Sequence, residues 1–177
     1  ELKHDKNGSR AKFIISTKNN KAQFAPPTRH TAKEEGKILI VDDQKLNRNL
    51  VLHFLKTGGY KNVRTAIDGK DALEKVSGEK PDLILMDVVM PEIDGFEACK
   101  ILKSNPKTSD IPILFLTGLS DAESRTKGYQ LGAVDYVAKP IDKNQLLART
   151  EVHIMNGMMF KSMQAFSANL VQDLAHA

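Results

Sequence analysis

From residue 37 onward, short unbroken apolar runs alternate with longer segments whose apolar residues recur every three or four positions. A run of four or five apolar residues is typical of a strand that is buried on both faces of a parallel sheet. Five such strands are predicted, at Lys37–Val41, Val63–Ile67, Leu83–Met86, Pro112–Leu116 and Val134–Ala138.

The segments between these strands have the apolar spacing of amphipathic helices. Helices are predicted over about Lys45–Thr57, from Gly69, over about Phe96–Ser104, over Asp121–Leu131 and from Asn144 onward. Five strand–helix units with short connections predict an α/β fold with a doubly wound, five-stranded parallel sheet. We place this domain at residues 37–150.

Residues 1–36 are polar, are interrupted by glycine and proline, and hold 8 Lys+Arg against 4 Asp+Glu. Only residues 11–16 are apolar enough to predict a short strand. We interpret the segment as a basic linker or the tail of a preceding domain. Nucleic-acid binding is the alternative, which the scarcity of aromatic residues among the basic ones does not favour.

The helix that begins near Asn144 continues past the fifth unit as an extended C-terminal helix with an apolar stripe. The stripe consists of Val152, Met155, Met159, Met163, Phe166, Leu170 and Leu174. It predicts either a helix that folds back onto the domain or a parallel coiled-coil homodimer leading to an output domain. Because the five units are complete by Arg149, we favour the dimer and treat residues 151–177 as a separate amphipathic helix.

The composition indicates the cellular compartment of the protein. The chain has 177 residues, of which 41% are hydrophobic, and a single cysteine, Cys99. A lone cysteine fits a reducing compartment, and no apolar run approaches the roughly 20 residues that span a bilayer. We therefore expect a cytoplasmic protein without membrane contact in this segment.

Polar residues follow four of the five predicted strands. Asp42-Asp43 follow the first strand, Asp87 the third, Thr117 the fourth, and Lys139-Pro140 the fifth. Taken singly, each would be explained as a helix cap, a turn residue or a solvated charge. Because the carboxyl ends of parallel strands meet at one edge, where ligands bind in open α/β sheets, their joint occurrence predicts a site there.

Three carboxylates brought together would repel one another unless a cation lies among them. Oxygen-only ligands at an open site suit Mg²⁺, which accepts a substrate phosphate as a further ligand. The Asp87 carboxylate would then attack phosphorus to form an acyl phosphate. Lys139 and the Thr117 hydroxyl would bind the phosphoryl oxygens and stabilise their charge.

This set of motifs resembles the receiver domain of two-component response regulators across about Lys37–His153. The residues that carry the resemblance stand at the spacing of that family: Val41-Asp42-Asp43, Met86-Asp87, Met90-Pro91, Asp94-Gly95, Thr117-Gly118 and Lys139-Pro140. The resemblance implies a flavodoxin-like sheet of strand order 2-1-3-4-5. It also implies a signalling switch phosphorylated by a histidine kinase or a histidine phosphotransfer domain.

The resemblance further implies a role for each site residue. Asp87 would be the phosphoacceptor, and Asp43, Asp87 and the Val89 carbonyl would bind Mg²⁺ directly, with Asp42 acting through water. Thr117 and Tyr136 would be the switch pair, and phosphorylation would act on the face built from the fourth helix, fifth strand and fifth helix. The Lys139–Pro140 peptide bond is expected to be cis.

Two residues suggest how this chain differs from related receivers. Val89 and Leu119 lie two residues after Asp87 and Thr117, positions that the resemblance implies flank the route of the hydrolytic water. Both are apolar, which predicts autodephosphorylation slower than in receivers with polar residues there. A Mg²⁺-dependent phosphatase with an aspartate nucleophile is the alternative function. Such enzymes carry a second Asp two residues after the nucleophile, where this chain has Val89.

The last residues carry a further resemblance. The segment 170–176 is similar both to the phosphoacceptor helix of a kinase, with a His three residues after an Asp, and to the helix that precedes a diguanylate cyclase. An ordinary coil that happens to contain a histidine explains it as well.

Overall fold

The structure is a computed structural model that describes residues 24–118 and 122–175. The predicted strand at residues 11–16, Leu119 and His176 lie outside these ranges. The helices are α1 (Arg29–Glu35), α2 (Lys45–Thr57), α3 (Gly69–Gly78), α4 (Gly95–Ser104), α5 (Ala122–Gln130) and α6 (Lys143–Ala175). The strands are β1 (Lys37–Val41), β2 (Asn62–Ala66), β3 (Leu83–Asp87), β4 (Ile113–Thr117) and β5 (Asp135–Ala138).

The five strands form one parallel sheet in the order β2-β1-β3-β4-β5, which confirms the predicted topology. Every residue of β3 and β4 is buried, as expected for central strands with helices on both faces. Strand β2 lies at one edge and keeps only Ala66 buried. Where the sequence predicted strand and helix bounds, those observed differ by one or two residues at most.

Two hydrophobic cores lie on opposite faces of the sheet, because successive side chains of a strand point to opposite sides. On β1, Leu39 and Val41 pack into one core, with residues of α3 and α4. The alternate residues Ile38 and Ile40 pack into the other core, with residues of α2 and α6. Each central strand therefore needs apolar residues at successive positions, because alternate side chains enter different cores.

The described part of the chain forms two units, Pro27–Met159 and a second one that contains residues 24–26 and 160–175. In the second unit, the Phe24 ring meets Phe166 edge-on at 5.8 Å. Met163, Leu170 and Leu174 of the predicted stripe are exposed there. Within the described residues, no helix is both long and apolar enough to cross a membrane.

Helix α1 was not predicted from the sequence. The Thr28 hydroxyl accepts a hydrogen bond from the Thr31 backbone N–H at 3.1 Å and caps the helix. Only Ala32 is buried in this seven-residue helix, so it has no apolar periodicity to detect. The residue before the edge strand holds the C-terminal end of α1, since the Lys61 N–H donates to the Lys33 carbonyl at 3.0 Å.

The first half of α6 packs on the domain mainly with side chains outside the predicted stripe, although Met155 of the stripe also contacts the core. Leu146 and Ile154 are fully buried, whereas Val152, the first residue of the stripe, is 56% exposed. Gly157 lies directly against the carbonyl oxygen of Asp82, and a Cβ there would overlap that oxygen. The glycine thus allows the helix to approach the amino-terminal end of β3.

We predict that Gly157→Ala destabilises the protein by about 1–3 kcal/mol, the usual cost of overpacking. Helix propensity alone predicts the opposite sign, a gain of about 1 kcal/mol, because alanine favours helices over glycine. Gly78→Ala is the matched control, since a Cβ at that helical glycine meets no heavy atom within 4 Å. Urea unfolding of both variants measures the difference, and a stabilised Gly157→Ala protein would contradict the packing described here.

Candidate functional site

The predicted site residues come together at the carboxyl edge of the sheet. Asp42 directly follows β1, Asp87 and Thr117 are the last residues of β3 and β4, and Lys139 directly follows β5. These residues surround the boundary between β1 and β3, where the strand order reverses. In open α/β sheets, ligands bind at such a reversal. Local strand endings therefore place residues that are distant in sequence next to one another.

Asp42, Asp43 and Asp87 form a carboxylate cluster in which one oxygen of each lies within 4.8 Å of the others. Asp42 and Asp87 are buried, and Asp43 is exposed. Oxygen ligands of this kind, open to solvent on one side, suit a small hard cation such as Mg²⁺. The cluster can hold a metal ion.

Lys139 supplies positive charge to the same cluster. Its ammonium lies 2.7 Å from Asp87 Oδ2 and 2.9 Å from Asp42 Oδ2. The Lys139–Pro140 peptide bond is cis. Lys139, which directly follows β5, therefore bridges the carboxylates at the ends of β1 and β3.

Burial and crowding shift the titration of these groups. Burial raises the pKa of Asp87, the Lys139 contact lowers it only in part, and the charge of Asp42 raises it further. For Lys139 burial works toward a lower pKa, but the hydrogen bonds and charges of Asp87 and Asp42 outweigh it and raise the pKa. Three carboxylates thus meet one ammonium in this cluster, an imbalance of charged groups that a bound cation would offset.

The loop after β3 is shaped for close approach. A Cβ at Gly95 would overlap the Asp87 carbonyl and lie 2.9 Å from the Val88 Cα. The first residue of α4 must therefore be glycine for the helix to approach the end of β3 this closely. The Val89 N–H donates to Asp87 Oδ1 at 3.3 Å. The Val89 side chain is 64% exposed beside the cluster.

The predicted switch pair occupies neighbouring strands. Thr117 is buried at the end of β4, and Tyr136 on β5 is half-buried. The Tyr136 hydroxyl accepts a hydrogen bond from Arg125 Nη1 of α5 at 2.6 Å. The Tyr129 ring meets the Tyr136 ring edge-on at 6.3 Å. A small cavity has both Thr117 and Tyr136 in its lining.

Arg125 and Arg48 also contact this site, and neither was predicted from the sequence to have a role there. Arg125 bonds Tyr136, and Arg48 of α2 donates to the backbone carbonyls of Asp42 and Asp43. Both contacts join residues on different elements or loops. A basic residue on an amphipathic helix gives no signal that separates such a contact from an ordinary solvated charge.

Known proteins are similar to this chain in sequence and in fold. The family model of the response regulator receiver domain matches residues 38–151. Response regulator PleD of Caulobacter vibrioides is 43% identical over 113 residues, which are 64% of this chain and 25% of PleD. The chain thus spans about a quarter of the length of that relative.

Solved receiver structures superpose on most of the domain. The receiver domain of a signal transduction histidine kinase from Syntrophus aciditrophicus matches with a TM-score of 0.63 at 34% identity. The match covers 69% of this chain and 91% of that one. The Mn²⁺-bound form of response regulator Rcp1 matches with a TM-score of 0.58 at 27% identity, covering 66% and 89%.

The sheet order, the carboxylate cluster at its carboxyl edge and the match over residues 38–151 agree with one another. The chain belongs to the response regulator receiver domain family of two-component signalling.

Proposed function

We propose that this receiver is a phosphorylation-dependent switch that accepts a phosphoryl group on Asp87 from a histidine kinase or a histidine phosphotransfer domain. The observation that carries the proposal is the position of Asp87, whose carboxylate ends a fully buried strand beside Lys139 and the other two carboxylates. A carboxylate placed only for packing would not be buried beside a second one and within 4.8 Å of a third. The lone buried Cys99 fits a cytoplasmic setting.

In the proposed reaction, an Asp87 carboxylate oxygen attacks phosphorus, and the bond from phosphorus to the donor histidine nitrogen breaks as the acyl phosphate forms. Mg²⁺ would neutralise phosphoryl charge when held by Asp43, Asp87 and the Val89 carbonyl, with Asp42 acting through water. The Lys139 ammonium, now on Asp87 Oδ2, is placed to bind the incoming phosphoryl oxygens.

Exposed apolar side chains near the cluster support docking of a protein donor. Leu46 on the first turn of α2 is 80% exposed, Ile67 after β2 is 54% exposed, and Val89 after β3 is 64% exposed. All three follow strand ends at the edge that holds the cluster. A partner that covered them would gain from burial of apolar surface and would exclude water from the reacting carboxylate.

The change would pass through Thr117 and Tyr136 to the face formed by α5, β5 and α6. Thr117 would move to the phosphoryl group, and Tyr136 would turn inward into the space behind it. Tyr136 now contacts both Arg125 of α5 and Arg149 of α6, whose guanidinium carbons are 5.1 and 5.8 Å from its ring centroid. Its movement would therefore alter both helices.

The alternative is a phosphatase with an aspartate nucleophile. The residue two positions after the nucleophile would then be the general acid, and Val89 has no titratable group. The family match favours the receiver over this alternative.

The first test is phosphorylation by a small-molecule donor such as acetyl phosphate in the presence of Mg²⁺. We expect intact-mass spectrometry to show one added phosphoryl group that is lost in Asp87→Asn and in the presence of a chelator. Lys139→Met should slow phosphorylation by about a hundred-fold, the usual effect of losing a donor that stabilises charge in a transition state.

Asp94→Asn is the matched control for these variants. Asp94 caps α4 by accepting a hydrogen bond from Glu97 N–H at 2.8 Å, and asparagine caps a helix equally well. The control should be phosphorylated like the unchanged protein. Full phosphorylation of Asp87→Asn would contradict the assignment of the acceptor.

Slow loss of the phosphoryl group is a second expectation, because Val89 places an apolar side chain beside the acceptor, where a water molecule would otherwise be held. Val89→Asn should shorten the lifetime of phosphorylated protein several-fold, measured by the decay of the phosphorylated mass. Ile101→Asn is the control, since Ile101 is an exposed apolar residue of α4. Equal lifetimes for all three proteins would refute this role of Val89.

We further propose that the exposed apolar residues of α6 pair with those of a second copy when Asp87 is phosphorylated. Met163 is 56% and Leu174 is 76% exposed, which supports such a surface. Light scattering should show a dimer with Mg²⁺ and beryllofluoride, a mimic of aspartyl phosphate, and its loss in Met163→Lys. Gln164→Lys, an exposed neighbour, should still dimerise. A mass that stays monomeric with bound beryllofluoride would contradict the dimer.

A further inference from the structure

Arg48, on the second turn of α2, contacts the backbone beneath the carboxylate cluster. Its Nη1 donates to the carbonyl oxygens of two successive residues, at 2.6 Å to Asp42 and 3.0 Å to Asp43. The side chain is half-buried. One guanidinium nitrogen therefore ties together the two peptide groups that carry the adjacent acids.

The two acids differ in how their carboxylates are oriented. Asp42 Oδ1 accepts the Gln44 N–H at 2.8 Å, and its Oδ2 accepts Lys139 at 2.9 Å. Within the described part of the chain, no hydrogen bond to the Asp43 carboxylate is found. The direction of the Asp43 side chain therefore depends on its backbone, and Arg48 holds the carbonyl of that backbone.

Adjacent residues in extended chain point to opposite sides, so two consecutive carboxylates face one point only if the backbone bends between them. The Asp42 and Asp43 carbonyls turn toward the same Arg48 nitrogen, which shows such a bend. Because of this bend, the Asp43 carboxylate reaches the cluster, where one of its oxygens lies within 4.8 Å of those of Asp42 and Asp87.

We propose that Arg48 is a positioning residue for the metal site, which holds the loop after β1 so that Asp43 faces Asp42 and Asp87. This inference rests on the proposed function, because it assigns to the carboxylate cluster the binding of Mg²⁺. Arg48 does not itself bind the ion. It acts through the two carbonyls, as outer residues do when they orient the ligands of a metal.

Charge and position predict opposite signs for the loss of Arg48. Coulomb's law alone says that removing a cation close to a metal site strengthens the binding of Mg²⁺. Loss of a group that orients the ligands weakens binding, by about 10- to 100-fold where such residues have been replaced. The direction of the change in affinity therefore separates the two effects.

The experiment is calorimetric titration of the intact chain with Mg²⁺, repeated with Mn²⁺ observed by electron paramagnetic resonance. Arg48→Met keeps most of the aliphatic stem and should bind both ions at least about 10-fold more weakly. Lys45→Met removes an equal charge from the exposed first position of the same helix and should bind within about two-fold of the unchanged protein, because exposed charges are screened.

Arg48→Lys keeps the charge but not the planar guanidinium, and it should also bind more weakly than the unchanged protein. This variant keeps the test decisive if Arg48→Met does not fold, which circular dichroism would show. Unchanged or tighter binding by a folded Arg48 variant would overturn the inference while leaving the metal site intact. Failure of the unchanged protein to bind either ion would instead overturn the proposed metal site itself.

Discussion

The contact between Lys139 and the carboxylates of Asp42 and Asp87 is the interaction on which the site depends. It joins the ends of three strands, β1, β3 and β5, and places a positive charge where the sheet concentrates negative charge. One ammonium does not balance three carboxylates, and burial makes the remaining charge costly. A divalent cation and then a phosphoryl group would each change that balance, which is why chemistry at this edge can alter the structure around it.

The path from the edge to the helices runs through residues that already have defined partners. Tyr136 bonds Arg125, and the adjacent Asp135 accepts hydrogen bonds from Arg149 and contacts His153 at 2.9 Å. Burial works against ionisation of Asp135, but these contacts outweigh it and lower its pKa, which favours the charged carboxylate. The network links β5 to α6, the helix proposed to carry the output.

The sheet and the cluster could be predicted because their causes are local in sequence. A central strand must be apolar on both faces, and a polar residue directly after it marks the sheet edge. Helix α1, the packing of Ile154 and the close approach of Gly157 to Asp82 could not be predicted. They depend on contacts between segments that are distant in sequence, and such contacts leave no periodic pattern. Arg48 and Arg125 were missed for the same reason.

A crystal structure of the protein with Mg²⁺ and beryllofluoride is the most direct test of phosphoryl acceptance at Asp87. We predict beryllium bonded to an Asp87 carboxylate oxygen, Mg²⁺ on Asp43 and Asp87, and the Lys139 ammonium and Thr117 hydroxyl on fluorine atoms. Beryllofluoride bound at another residue, or Mg²⁺ bound away from the three carboxylates, would contradict the account.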